Sequence, residues 1–199
     1  MRPILNTFLN NLSYPRTLPL QVVYGPVTRG GLGLINGPVE QGTAHVMSLL
    51  HHLRASTEVG KLFEVFLSWC QRFSGYDQPL LATPDLPIDH LHSPWLATTL
   101  THLRESKCII TWNQPSVVRL QRQYDRALMS DAIPLKAKFR KAINRCRLFL
   151  RVETLADITN ATGKELLPCL FRGTPSLPSD TTESWPYQPS PGPRSWAIF

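Results

Sequence analysis

The chain has 199 residues, 42% of them hydrophobic and only 18% charged, with 18 prolines, which is enough apolar chain to bury a core and fold for most of its length. Lysine and arginine outnumber aspartate and glutamate by 21 to 14, for a net charge of +7, a balance that suits a polyanionic partner and says nothing of the fold. The four cysteines stand far apart with no Cys-x-x-Cys pair, which excludes a disulfide framework or a zinc finger, and no apolar run approaches the ~18 residues of a membrane span.

Met1–Leu5 opens an apolar run that is too short for a secretory signal before Asn10 and Asn11 interrupt it, so the chain reads as intracellular, with no membrane partner. Residues 1–39 are rich in Pro, Gly and Asn, and Leu20-Gln-Val-Val-Tyr24 predicts a short strand ending at Gly25-Pro26. Five of the eleven glycines crowd between Gly25 and Gly37. Their spacing, Gly31-x-Gly33-x-x-x-Gly37, is one residue too long for a dinucleotide fingerprint, and no Gly-Lys-Ser/Thr follows. A tight turn explains them more simply, because glycine tolerates positive φ.

A helix is predicted from about Glu40, with Val46, Leu49, Leu50 and Leu53 on one face. Thr57 and Gly60 mark a break, and a second helix follows with Leu62, Phe63, Phe66, Trp69, Cys70 and Phe73 inward, ended by Gly75. Residues 75–94 form a loop holding four prolines. Ser93 and Pro94 have the chemistry of a helix start, with Leu96, Leu100 and Leu103 on the buried face. Lys107–Trp112 predicts another short strand, and residues 116–129 a helix.

The strongest helical pattern runs over residues 134–152, with Phe139, Ala142, Ile143, Cys146, Phe149 and Leu150 on an apolar stripe. Lys136, Arg140, Arg147 and Arg151 line another face, with Lys138, Lys141 and Arg145 beside them. No acid occurs between Ala132 and Val152, so these seven cations are not arranged for intrahelical pairs. They are the candidate nucleic-acid-binding residues, suited to non-specific, salt-dependent contact with a phosphate backbone. From residue 173 the chain turns rich in Pro and Ser, with Trp185 and Trp196, a composition that predicts an extended or disordered tail. The expected architecture is mainly α: an irregular helical domain over residues 1–172 with a few short strands, then the Pro-rich extended tail 173–199.

Catalytic constellations are not legible. There is no Gly-x-Ser-x-Gly elbow and no Asp-Asp pair; Asp125 and Asp131 come nearest, and a helix-end role suits them better. Asp89-His-Leu-His92 would place two imidazoles on one side of an extended segment, the most metal-like feature, yet without a third ligand. No metal, no cofactor and no catalytic residue are expected.

Taken in order, many small motifs resemble the region that follows the polymerase core in reverse transcriptases of non-LTR-like retrotransposons. They are Tyr24-Gly-Pro26, Gly30-Gly-Leu-Gly-Leu34, Glu40-Gln-Gly42, His52-Leu-Arg54, Tyr124-Asp-Arg126 with Met129-Ser-Asp131, Ile143-Asn-Arg-Cys-Arg147, Leu155-Ala-Asp-Ile-Thr159 and Trp185-Pro-x-Gln188 with Trp196. The family's aromatic-x-Asp-Asp motif, which holds the catalytic metals, is absent here. The resemblance therefore implies a non-catalytic thumb or post-thumb piece that holds an RNA/DNA duplex beside an upstream polymerase domain. Tyr124 stands where the family pattern has histidine, and Ala156 where serine is common. The alternatives are a structural or protein-interaction remnant docking on a separate polymerase core, or an inactive truncated product.

Overall fold

A computed structural model describes residues 2–112, 118–171 and 189–199. The chain is mainly helical, and the described residues contain no sheet, only two isolated antiparallel bridges, Ala127 to Thr154 and Thr159 to Leu166. It divides into two compact units, Met1–Ala44 and His45–Phe199.

The first unit contains α1 (Arg2–Asn11) and α2 (Leu20–Tyr24). The predicted strand at Leu20–Tyr24 is thus a helical turn, with the amides of Val22 and Val23 donating to the Pro19 carbonyl. The valines favour a strand, but with no neighbouring strand to pair with, the backbone groups are satisfied locally instead. The glycine stretch folds back over this turn. Gly30 ends a 3-10 turn at φ 80°, and Gly31 lies so close to the Gly25 carbonyl that a Cβ there has no room. The successive amides of Gly30, Gly31, Leu32, Gly33 and Leu34 donate to carbonyls of Val27, Pro26, Val22, Gly25 and Val23 respectively. A phosphate-cradling loop needs its amides free to face the anion; here they close a turn.

α3 (Gly37–Arg54) carries the boundary between the units and starts three residues before the expected Glu40. In the second unit, local chemistry sets the helix ends as read from sequence. Thr57 Oγ1 accepts from Gly60 N at 3.0 Å to open α4 (Glu58–Ser74), and Gly75 closes it at φ 72°. Ser93 Oγ accepts from Leu96 N at 3.3 Å with Pro94 as the first residue of α5 (Pro94–Glu105). Cys70, Phe73, Leu96, Leu100, Leu103 and Leu148 meet in the main core. The proline-rich loop between α4 and α5 contributes Leu80, Leu81, Leu86 and Leu91 to that core. It is held there by buried Gln71, whose amide donates to the carbonyls of Tyr76 and Gln78 and accepts from Leu80 N.

Two further expectations are corrected. Lys107–Trp112 forms no strand; Ile110 N donates to the Leu81 carbonyl at 3.0 Å. The helix expected over 116–129 is instead a set of turns over 118–127 leading to the short α6 (Leu128–Asp131), while 113–117 lie outside the described residues. An Asp125 side chain that bonds nearby backbone amides competes with helix there.

α7 (Ala137–Leu150) ends where Arg151 takes the left-handed conformation at φ 58°. It is followed by α8 (Leu155–Ile158), α9 (Pro168–Phe171) and α10 (Pro193–Trp196). Leu128, Leu150 and Val152 form a second small cluster, with Phe149 and Trp196 packed on it. Residues 173–188 of the expected tail lie outside the described residues. Its end, however, carries α10, and Trp196 sits edge-on to Phe149 with ring centroids 5.8 Å apart. No described helix is long and apolar enough to cross a membrane.

Candidate nucleic-acid interface

The structure separates the seven cations around α7 into groups with different environments. Arg147 is wholly buried, at 0% exposure. Its Nε donates to Asn144 Oδ1 at 2.8 Å, and its Nη2 donates to the carbonyls of Arg72 and Phe73 at 2.8 and 2.7 Å. It thereby satisfies two of the last four carbonyls of α4, which a helix end leaves open. Burial lowers its pKa to about 10, opposed by the Glu153 carboxylate and by Tyr76, so it remains a cation at neutral pH. Arg147 was expected on the binding face; it is a tie inside the core and is withdrawn from that face.

Arg140 is also committed. Its side chain is only 12% exposed and pairs with Asp89 at 2.8 Å. Its Nη1 donates to the carbonyls of Ile133 and Leu135. The acid that neutralises it comes from the α4–α5 loop, 51 residues away in sequence. Arg151 is half-buried at the helix cap, and Lys136 is exposed at the residue before the first turn.

Lys138, Lys141 and Arg145 are all exposed. At i, i+3 and i+7 they share one face, spread over about 10 Å of helix axis. No carboxylate pairs with any of them among the described residues, and Lys138 Nζ lies 4.9 Å from the ring centroid of its neighbour Phe139. The row first read as secondary is therefore the outward one. The row read as primary, 136-140-147-151, turns two of its four members into structural ties.

The histidine pair does not form a site. His90 is buried, its Nε2–H donating to the Ser74 carbonyl at 3.1 Å, while His92 is exposed. Burial is the largest cause that drives the His90 pKa down to about 4, with the nearby Arg147 and Arg140 cations acting in the same direction. No group of three His, Cys, Asp or Glu among the described residues can hold a metal ion.

Asp125 and Asp131 do not act together either. Asp125 accepts from the backbone amides of Gln121, Arg126 and Ala156 at 2.9 to 3.0 Å. Its own burial works the other way, but the amide bonds hold its pKa below the ordinary carboxylate value. Asp131 pairs with Arg126 at 2.8 Å. The turn of residues 121–126 is also tied through Arg122, which donates to the Asn160 carbonyl at 2.8 Å and to Thr159 Oγ1 at 2.6 Å.

That turn presents a residue whose exposure and backbone conformation sequence reasoning missed. Tyr124 is 91% exposed with φ 64°. Only the adjacent Asp125, a residue type common in turns, hinted at a kinked backbone. Beside α7 lies an apolar groove of about 680 Å³, lined by Leu128, Leu135, Ile143, Ile158 and Trp196 among others, with Asp131 as its acid.

Comparison of this chain with protein-family models, curated proteins and solved structures finds no match.

Proposed function

We propose that this chain is a non-catalytic accessory piece that contacts the sugar-phosphate backbone of nucleic acid through α7. The observation that carries the reading is the row of Lys138, Lys141 and Arg145: three exposed cations on one face without a carboxylate partner among the described residues. Lys136 extends it, and Arg151 borders it at the helix end. Such a row attracts phosphates and releases condensed counterions, which gives affinity without sequence preference. The lineage proposed with it, a thumb-like part of a retroelement reverse transcriptase acting beside an upstream polymerase domain, rests on the order of motifs from Tyr24 to Trp196.

Fluorescence anisotropy with a labelled duplex, titrated with salt, tests the reading. The protein should bind at low salt and release as salt rises. The triple change Lys138→Glu, Lys141→Glu, Arg145→Glu should abolish binding or reduce the log–log salt slope by roughly 3. Equal binding by the triple variant sinks the proposal.

A second reading, a protein-interaction piece, is favoured by the apolar groove beside α7. Trp196 packs on Phe149 of this chain and lines that groove, so the groove as a whole, rather than the tryptophan alone, is the surface to test. A Leu135→Asp, Ile143→Asp variant that loses a supplied polymerase core while keeping duplex affinity would favour this second reading.

A further inference from the structure

Tyr124 is held in a left-handed backbone conformation, φ 64°, which is unfavourable for a residue that is neither glycine nor asparagine. Its side chain is 91% exposed and makes no hydrogen bond or ring contact among the described residues. The ring therefore adds little to the stability of the fold, while the backbone beneath it is strained.

The strain is sustained by the neighbours. The Asp125 carboxylate takes three backbone amides, two from within the turn and one from Ala156. The Asp157 carboxylate receives the amides of Glu153 and Thr154 at 2.7 and 2.9 Å and the side-chain amide of Gln121. Arg122 ties the same turn to Thr159 and Asn160. An aromatic ring is thus presented in the open on a backbone already held in place, so that no loop has to be ordered when something stacks on it. Arg119, five residues before it, is exposed; Arg126, two residues after it, is exposed but paired with Asp131 at 2.8 Å, and the one acid in the turn, Asp125, is buried and bonded to amides.

From this arrangement we propose that Tyr124 is a stacking platform for an unpaired nucleobase, with the exposed Arg119 of the same segment attracting the strand's phosphates. Every base offers a π-face, so a single exposed ring recognises single-stranded nucleotides without reading their sequence. A duplex keeps its bases stacked on one another and does not offer that face except at an end or a bulge. This rests on the nucleic-acid reading of α7 and sharpens it: the preferred ligand is a strand with unpaired bases, or a duplex with a single-stranded overhang.

The experiment uses the full chain with two probes of one sequence, a single strand and its blunt duplex, each carrying a fluorescent adenine analogue that is quenched on stacking. The wild-type chain should quench the single strand and bind it more tightly than the duplex. Tyr124→Ala should lower single-strand affinity roughly 10-fold and remove the quench, leaving duplex affinity as it was. Tyr124→Phe should keep both affinity and quench. Tyr124→Asn should lose the quench yet raise the melting temperature, because asparagine tolerates the left-handed backbone.

Unchanged quenching and affinity in Tyr124→Ala, with binding still lost in the α7 triple variant, overturns the stacking proposal and leaves the α7 reading intact. Failure of the wild-type chain to bind either probe at low salt overturns both. A lower melting temperature in Tyr124→Asn would show that the ring serves the fold, which also overturns it.

Discussion

The guanidinium of Arg147 fills the space that a side chain at position 75 would need. A Cβ placed on Gly75 collides with Cζ, Nε and Nη2 of Arg147, and the backbone there is left-handed at φ 72°. The glycine that ends α4 and the arginine that satisfies the Arg72 and Phe73 carbonyls in its last turn are parts of one device. Arg147→Met should destabilise the second unit by about 3 kcal/mol, since it leaves the Arg72 and Phe73 carbonyls without their buried donor. Gly75→Ala should cost at least ~1 kcal/mol from its backbone conformation alone, and more because the guanidinium must move. The two changes should combine non-additively in a double-mutant cycle read by urea unfolding.

Arg140 and Lys141 are adjacent, equally basic in the sequence, and opposite in consequence. Arg140→Gln gives up the Asp89 pair and two carbonyl partners and should lower stability by roughly 1–2 kcal/mol. Lys141→Gln should stay within about 0.5 kcal/mol of the parent. Urea midpoints at constant slope check both, and a larger loss at Lys141 than at Arg140 would contradict the assignment of inner and outer rows.

His90 makes the protein sensitive to mild acid. Its folded pKa of about 4 lies below the ordinary 6.5, so between those values the unfolded chain binds a proton that the folded chain refuses. Its contribution is fully present above pH ~6.5 and is lost as pH falls toward ~4, for a total on the order of 3 kcal/mol. His90→Gln retains a donor for the Ser74 carbonyl without a titrating ring. Its unfolding free energy should therefore be flatter over that window, measured by urea titration at successive pH values.

Asp125 works at a lower pH and on a smaller region. Its folded pKa is depressed, so its contribution is present above the ordinary carboxylate range and disappears as pH falls through the folded value. Asp125→Ala should release the amides of Gln121, Arg126 and Ala156, and hydrogen exchange at those three should quicken while that of Leu100 and Leu148 in the main core stays slow.

The parts of this fold legible in the sequence are those written in adjacent residues. Thr57, Gly75 and Ser93-Pro94 set helix ends by chemistry that needs only local chain, and the apolar stripe of α7 gave its buried side. Leu20–Tyr24 misled because β-branched residues state a preference that only a partner strand can realise. The difference between Arg140 or Arg147 and Lys141 was invisible for a similar reason. Their partners, Asp89 and the carbonyls of Arg72 and Phe73, lie 51 to 75 residues away in the chain. A helical wheel shows which positions flank the apolar stripe but not which flank faces another helix end.

The inward arginine has a last consequence for α7. A helix with cations on both flanks of its apolar stripe is, by charge alone, free to roll about its axis. Arg147 removes that freedom, because its fork fits only against the end of α4, and any roll strands it or drives a lysine into the core. It serves as an index pin for the helix. Shuffling the same seven cations among neighbouring positions would preserve net charge and helix propensity, yet destroy both the seating of α7 and the outward row of Lys138, Lys141 and Arg145.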